Sequence, residues 1–162
     1  MLLYHGTPNI FSEPSLAKCK PHRDFGCGFY LAPNFQDALP LAIKHSHIGY
    51  VYTYVFKDAD DLNVIILDGY SDEWLELVVK ARMGFPPNAD LVIGNTAGGG
   101  VNLKDKFTKL RNGNATIEEA INLMRDELTN AGLGVQYCFL TPKALRKLKK
   151  INEEVYEREA AR

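Results

Sequence analysis

Polar and apolar positions recur along the chain at two periods, and the periods separate strands from helices. Residues 50–56 read Tyr-Val-Tyr-Thr-Tyr-Val-Phe, a run of aromatic and β-branched side chains that predicts a strand. The apolar start, Met1-Leu2-Leu3-Tyr4, predicts a short strand that ends at His5-Gly6-Thr7-Pro8. Residues 63–67, 90–94 and 135–140 predict three more, and Phe29-Tyr30-Leu31 another behind a glycine-rich approach. Helical spacing appears over 35–47, where Asp37 reads as the cap because Pro40 fits only in a first turn. It appears again over 72–83, with Trp74 as a core anchor, and from Thr116 towards Asn130 behind the capping box Thr116-Ile117-Glu118-Glu119. Thr141-Pro142 opens a last helix, 143 to about 150. The pattern predicts one domain over 1–150 and a charged helical tail over 151–162.

A chain of 162 residues with 46% hydrophobic content suffices for one respectable core. A net charge of −1, from 19 Lys plus Arg against 20 Asp plus Glu, excludes a global field that recruits nucleic acid or an anionic membrane, although local patches remain open. One such patch runs from Lys104 to Arg111 around Phe107; it reads as a solvated loop face or as a contact for a nucleic-acid or acidic target. No apolar run approaches the ~20 residues of a bilayer span. Three cysteines, Cys19, Cys27 and Cys138, form an odd set without metal-type pairing, which leads us to expect reduced thiols and a cytoplasmic protein.

The candidate chemistry sits in Arg23-Asp24-Phe25-Gly26-Cys27-Gly28-Phe29-Tyr30-Leu31, taken with Tyr4-His5-Gly6-Thr7. Gly26 and Gly28 lack Cβ atoms and admit a flat ligand to the backbone, while Tyr30 offers a ring and a hydroxyl; a glycine turn before a buried strand explains the same residues. Arg23 at the entrance has the fork that pairs with a pyrophosphate. Asp24-Phe25-Gly26 matches the metal-binding triplet of protein kinases, but the preceding residues hold no nucleotide loop, lysine strand or catalytic loop. Asn95-Thr96-Ala97-Gly98-Gly99-Gly100 lacks the lysine of a phosphate loop and reads as a lid or a plain loop. His45 and His47 at a helix end read as surface residues.

The strand-end His-Gly, the Asp-Phe-Gly-x-Gly-Phe-Tyr segment and a glutamine on a late strand together resemble the ADP-ribosyltransferase superfamily, in particular a little-characterised bacterial group with that pattern. The resemblance implies an α+β fold, a split β-sandwich of two small, mostly antiparallel sheets with surrounding helices and NAD in the cleft. It implies that His5 bonds a ribose, that the Gly6 main chain grips the nicotinamide amide, that Tyr30 stacks on its ring beside Gly28, and that Gln136 contacts the ribose near the scissile bond. Thr7, Arg23 and Phe29 would complete the cofactor-binding set, and Leu41 stands where better-known relatives place a second aromatic. Gln136 departs from their glutamate, so the charge that favours an oxocarbenium-like transition state is missing. The implied activity is transfer of ADP-ribose from NAD to a macromolecular acceptor, protein or nucleic acid, with an antitoxin or regulatory partner compatible with a toxin-like role. The alternative is a catalytically weak NAD-binding or interaction module. A third reading, an RNA-end phosphotransferase, needs more arginines and histidines around the cleft than the sequence places there.

Overall fold

The computed structural model describes residues 1–44, 46–97, 102–128 and 134–158. Strand β1 (Leu2–Thr7) is followed by β2 (Phe29–Leu31), helix α1 (Phe35–Ile43), β3 (Ile48–Phe56), β4 (Val64–Ile66), α2 (Asp72–Arg82), β5 (Leu91–Asn95), α3 (Leu103–Asn112), α4 (Ile117–Leu128), β6 (Val135–Phe139), α5 (Pro142–Leu145) and β7 (Leu148–Glu157). They make an α+β fold with a three-stranded sheet, β1-β3-β7, and a four-stranded sheet, β2-β6-β5-β4. Among the described residues only the β4–β5 pair is parallel, and α2 lies between those two strands in the chain.

Strand alternation explains how the sheets stack, because successive side chains point to opposite faces. Leu3 of β1, Tyr52, Tyr54 and Phe56 of β3, Phe29 and Leu31 of β2, Leu91 of β5 and Phe139 of β6 share one buried cluster between the sheets. The stripe of tyrosines at period two is therefore sheet packing. The opposite face of the first sheet receives α1: Ala38, Ala42 and Val51 form a smaller cluster there. Two glycines make this approach fit, since a Cβ on Gly6 would fall 1.9 Å from the Ala38 carbonyl oxygen and one on Gly49 2.0 Å from that of Ala42. The outer face of the second sheet carries the largest cluster, in which Val92 and Cys138 pack with Phe25, Trp74, Val78, Phe107 and Met124. Ser71 caps α2 by accepting from the Trp74 N–H at 3.2 Å, and the Trp74 indole N–H donates to Asn95 C=O at 2.8 Å.

A backbone bridge also joins the two sheets at their rim. Tyr4 and Ala32 exchange both backbone hydrogen bonds at 2.8 Å, so β1 runs onto the end of β2.

Several expectations are corrected. Residues 148–157 form β7, paired along the whole of β3 with a bulge at Thr53/Tyr54, where a helical tail was predicted. Its mix of Lys, Glu and Asn carries a weak strand signal, and pairing with the open edge of β3 overrides it. The helix after Thr141 is one turn, Pro142–Leu145, although Thr141 does cap it by accepting from Ala144 N–H at 3.2 Å. Asn34 is the N-cap of α1, Asp37 lies in its first turn and Pro40 is inside the helix. The patch 104–111 lies within α3 rather than in a loop. Thr116 accepts from the Glu119 N–H at 3.1 Å, but its own hydroxyl donates to the Glu119 carboxylate at 3.0 Å, so only half of the capping box forms. Cys19 and Cys27 are joined in a disulfide with their Cα atoms 5.2 Å apart, against the expectation of reduced thiols, and Cys138 alone is free and buried. Their spacing of eight residues carried no signal of the turn that brings them together. His45, Gly98 to Gly100 and Asn130, which figured in the sequence reading, lie outside the described residues.

Candidate functional site

The glycine-rich turn before β2 is built around Asp24. Phe25 is fully buried, and Gly26 adopts a positive φ of 103°, a conformation that glycine takes without steric cost. Tyr30 closes the turn: its hydroxyl donates to Gly26 C=O at 2.7 Å and accepts from Phe25 N–H at 3.0 Å, with the two rings near parallel at 6.4 Å. Burial, first of all, raises the Tyr30 phenol far above its ordinary value, and the neighbouring Cys138 adds to this, so the hydroxyl stays neutral. Gly28 is required by packing, since a Cβ there would lie 2.4 Å from the Cys138 Sγ. Burial pushes the Cys138 thiol up to about 12, which makes it an inert core residue.

Asp24 is 6% exposed and is surrounded by donors. Arg82 donates to Oδ1 through Nε at 2.9 Å and also through Nη2; Oδ2 accepts from Ala97 N–H at 2.9 Å and from the Gln136 side-chain amide at 2.9 Å. A carboxylate only accepts, so this contact fixes which way the Gln136 amide points. Gln136 Oε1 is left without a partner among the described residues and remains an acceptor. A glutamate at 136 would set two carboxylates against each other here, which gives a physical reason for glutamine at this position. Asp37 Oδ2 approaches the same strand at its start, 2.8 Å from where a Cβ on Gly134 would be.

The remaining sequence-assigned residues divide between two sides of the second sheet. Tyr30 and Cys138 face each other across the β2–β6 ladder, and Gln136 is two residues before Cys138, so the three share the helix-covered face. His5 is on the other side, between the sheets, with its ring edge-on to Phe29 at 4.2 Å and to Phe11 at 5.7 Å. Its Nδ1–H donates to Tyr30 C=O at 2.6 Å, which couples the first sheet to the second. Burial lowers the His5 pKa to about 4 in spite of that hydrogen bond, so the ring is neutral and Nε2 is an acceptor. Gly6 pairs with Val51 in the β1–β3 ladder, and its bare Cα serves α1. Thr7 is buried and accepts from Asn9 N–H at 3.1 Å. Phe29 is a core residue, 5% exposed. Leu41 is 56% exposed on α1 and belongs to no core cluster. The structure thus places Tyr30 and Gln136 on one face of neighbouring strands, joins His5 to β2 through the Tyr30 main chain, and leaves Leu41 apart.

Arg23 is exposed and opens onto a cavity of about 290 Å³ that also touches Lys20, His22, Arg82 and the Lys104–Phe107–Arg111 side of α3. Sequence reasoning missed Asp24 and Arg82 as the centre of this region. The available signal was a single acid embedded in an otherwise apolar, glycine-rich turn, a place where burial demands a cationic partner.

Among the described residues no group of His, Cys, Asp and Glu is arranged to hold a metal ion, and no helix is long and apolar enough to cross a membrane. Neither a curated protein nor a solved structure matches the chain. A family model does match, over residues 1–150, and its description is a protein of unknown function (DUF3990). That span takes in every site residue described above, from His5 to Gln136, and the chain belongs to the DUF3990 family.

Proposed function

We propose that the protein is an NAD-dependent ADP-ribosyltransferase whose ribose contact is Gln136, backed by Asp24. The observation that carries this reading is the side-chain amide of Gln136, held by Asp24 with its carbonyl oxygen unpartnered, on the strand next to Tyr30. In this role Gln136 Oε1 accepts from the 2′-hydroxyl of the nicotinamide ribose. Donation of the amide N–H to a carboxylate shifts electron density towards Oε1 and strengthens it as an acceptor, a partial replacement for the missing negative charge. Arg82 neutralises much of the Asp24 charge, so the replacement is incomplete and slow turnover is expected. His5, neutral and locked to β2, acts by holding the His5–Gly6 backbone beside Tyr30 rather than by moving protons. The reaction joins a nucleophile of a macromolecular acceptor to C1′ of the ribose; the bond to nicotinamide breaks and its electron pair leaves with the base. A split sandwich of the superfamily type accommodates the two sheets and their backbone bridge at Tyr4 and Ala32.

The alternative, a catalytically weak NAD-binding or interaction module, is favoured by the glutamine itself and by the commitment of the Tyr30 hydroxyl to its own turn. Calorimetric titration with NAD and a nicotinamide-release assay separate the two readings. Transferase action predicts release above the uncatalysed rate and a fall in kcat of about 10²-fold in Gln136→Ala with KM little changed. Binding without release would select the module, and no binding at millimolar NAD would sink both readings.

A further inference from the structure

Positive charge collects at one concave place on a chain whose net charge is only −1. Lys104, Phe107 and Arg111 recur at helix positions i, i+3 and i+7, so they share one side of α3. Facing them across the cavity are Lys20, His22 and Arg23 from the loop between the bonded cysteines. Among the described residues none of Lys20, Arg23, Lys104 and Arg111 is ion-paired, whereas Lys80, Arg82, Lys106, Lys147 and Lys150 are. The adjoining carboxylate, Asp24, is spent on donors from Arg82, Ala97 and Gln136.

Two of the cavity's cations, Arg82 and Arg111, are also held in place. Arg111 donates to Arg82 C=O at 2.5 Å and to Thr108 Oγ1 at 3.2 Å, and the Arg82 guanidinium lies 5.7 Å from the centre of the Phe107 ring. His22 adopts a left-handed φ of 59°, an unusual conformation for a residue with a Cβ, and its carbonyl accepts from Arg82 Nη1 at 3.4 Å. Protonation of His22 is disfavoured by burial first and then by Arg111, and that of Arg111 by burial first and then by Arg82, so cationic groups crowd one another here.

We propose that this cavity is a phosphate-binding site, filled by the phosphoryl groups of a dinucleotide or of a nucleic-acid strand. Several separated donors of two kinds, guanidinium forks and ammonium groups, suit an anion with many oxygens better than a carboxylate, which one fork satisfies. The cavity is at the small end for a ligand site, the right scale for a phosphate or pyrophosphate with part of its stem. The inference goes beyond ADP-ribosyl transfer: of the residues assigned to NAD, only Arg23 lines the cavity.

The test is calorimetric titration of the full chain with inorganic pyrophosphate at fixed ionic strength, using wild type, Arg23→Glu, Lys104→Glu and, as a charge-matched control, Lys149→Glu on β7. Circular dichroism confirms that each variant is folded. A 1:1 complex weakened about tenfold or more by either cavity substitution, and changed by less than about twofold in the control, is expected. Absence of binding at millimolar pyrophosphate, or equal weakening in Lys149→Glu, would overturn the proposal. Competition then identifies the source: displacement of pyrophosphate by NAD assigns a dinucleotide, and displacement by a short 5′-phosphorylated oligonucleotide but not by NAD assigns a nucleic acid. If neither displaces it, the cavity takes an adventitious ion only and the proposal fails. Failure to bind NAD with pyrophosphate binding retained would refute the proposed transferase and leave this site standing.

Discussion

His5 shows at the scale of one residue how burial sets chemistry. The folded ring titrates at about 4, below its ordinary 6.5, while the unfolded chain keeps the ordinary value. Between those two values the unfolded state binds the extra proton, so stability falls as the pH is lowered. The contribution is fully present above about pH 6.5 and fully lost below about pH 4. It amounts to about 3 kcal/mol, of which ~2 is gone by about pH 5. Urea unfolding at about pH 7.5 and about pH 5 should show this loss in wild type and not in His5→Asn, where an amide N–H stands in for Nδ1–H. Equal pH dependence in the two proteins would contradict the assignment. The position of His5 was legible in the sequence because a strand-end His-Gly before a turn is a local pattern. Asp24 was not, since its partners Arg82, Ala97 and Gln136 are 58, 73 and 112 residues away and no local pattern records them.

At the scale of elements, most strands and three of the helices were legible from periodicity, and the misses share a cause. Strand β7 and helix α3 are both charged segments whose structure is decided by what they pack on: β7 by the free edge of β3, α3 by Phe107, which is 1% exposed. The opposite case is α1, whose docking is recorded in the sequence by glycines rather than by apolar residues. Gly6 and Gly49 sit on β1 and β3 directly under the helix, each with a carbonyl oxygen where a Cβ would be. Gly49→Ala should therefore lift α1 off the sheet and destabilise the fold by about 2 kcal/mol or more, read as a drop in the urea midpoint. Gly69→Ala has no neighbour to meet within 4 Å, although its φ of 53° carries a strain of its own; it should cost less than Gly49→Ala, and the reverse order would refute the packing account.

For the molecule as a whole, two packed sheets with helices outside were expected from the family resemblance alone, and the division of the site across the second sheet was legible in neither the resemblance nor the pattern. Alternation fixes which residues of one strand share a face; it does not say that His5 would lie between the sheets while Tyr30 and Gln136 lie outside. The least legible feature was the Cys19–Cys27 bond. It closes a ring that contains Lys20, His22, Arg23 and Asp24, and through Asp24 the ring reaches α2 and β6. An ordered ring has less conformational freedom to lose when an anion binds, so adding a reductant should weaken pyrophosphate binding by about threefold to tenfold in wild type and leave Cys19→Ser unchanged. An identical affinity in wild type with and without reductant would show that the loop holds its shape unaided. If oxidation tightens the anion's hold, thermodynamic reciprocity requires the bound anion to make the two sulfurs harder to reduce by the same factor. Occupancy and redox state then form a single coupled equilibrium, and a cell that changes either one changes both.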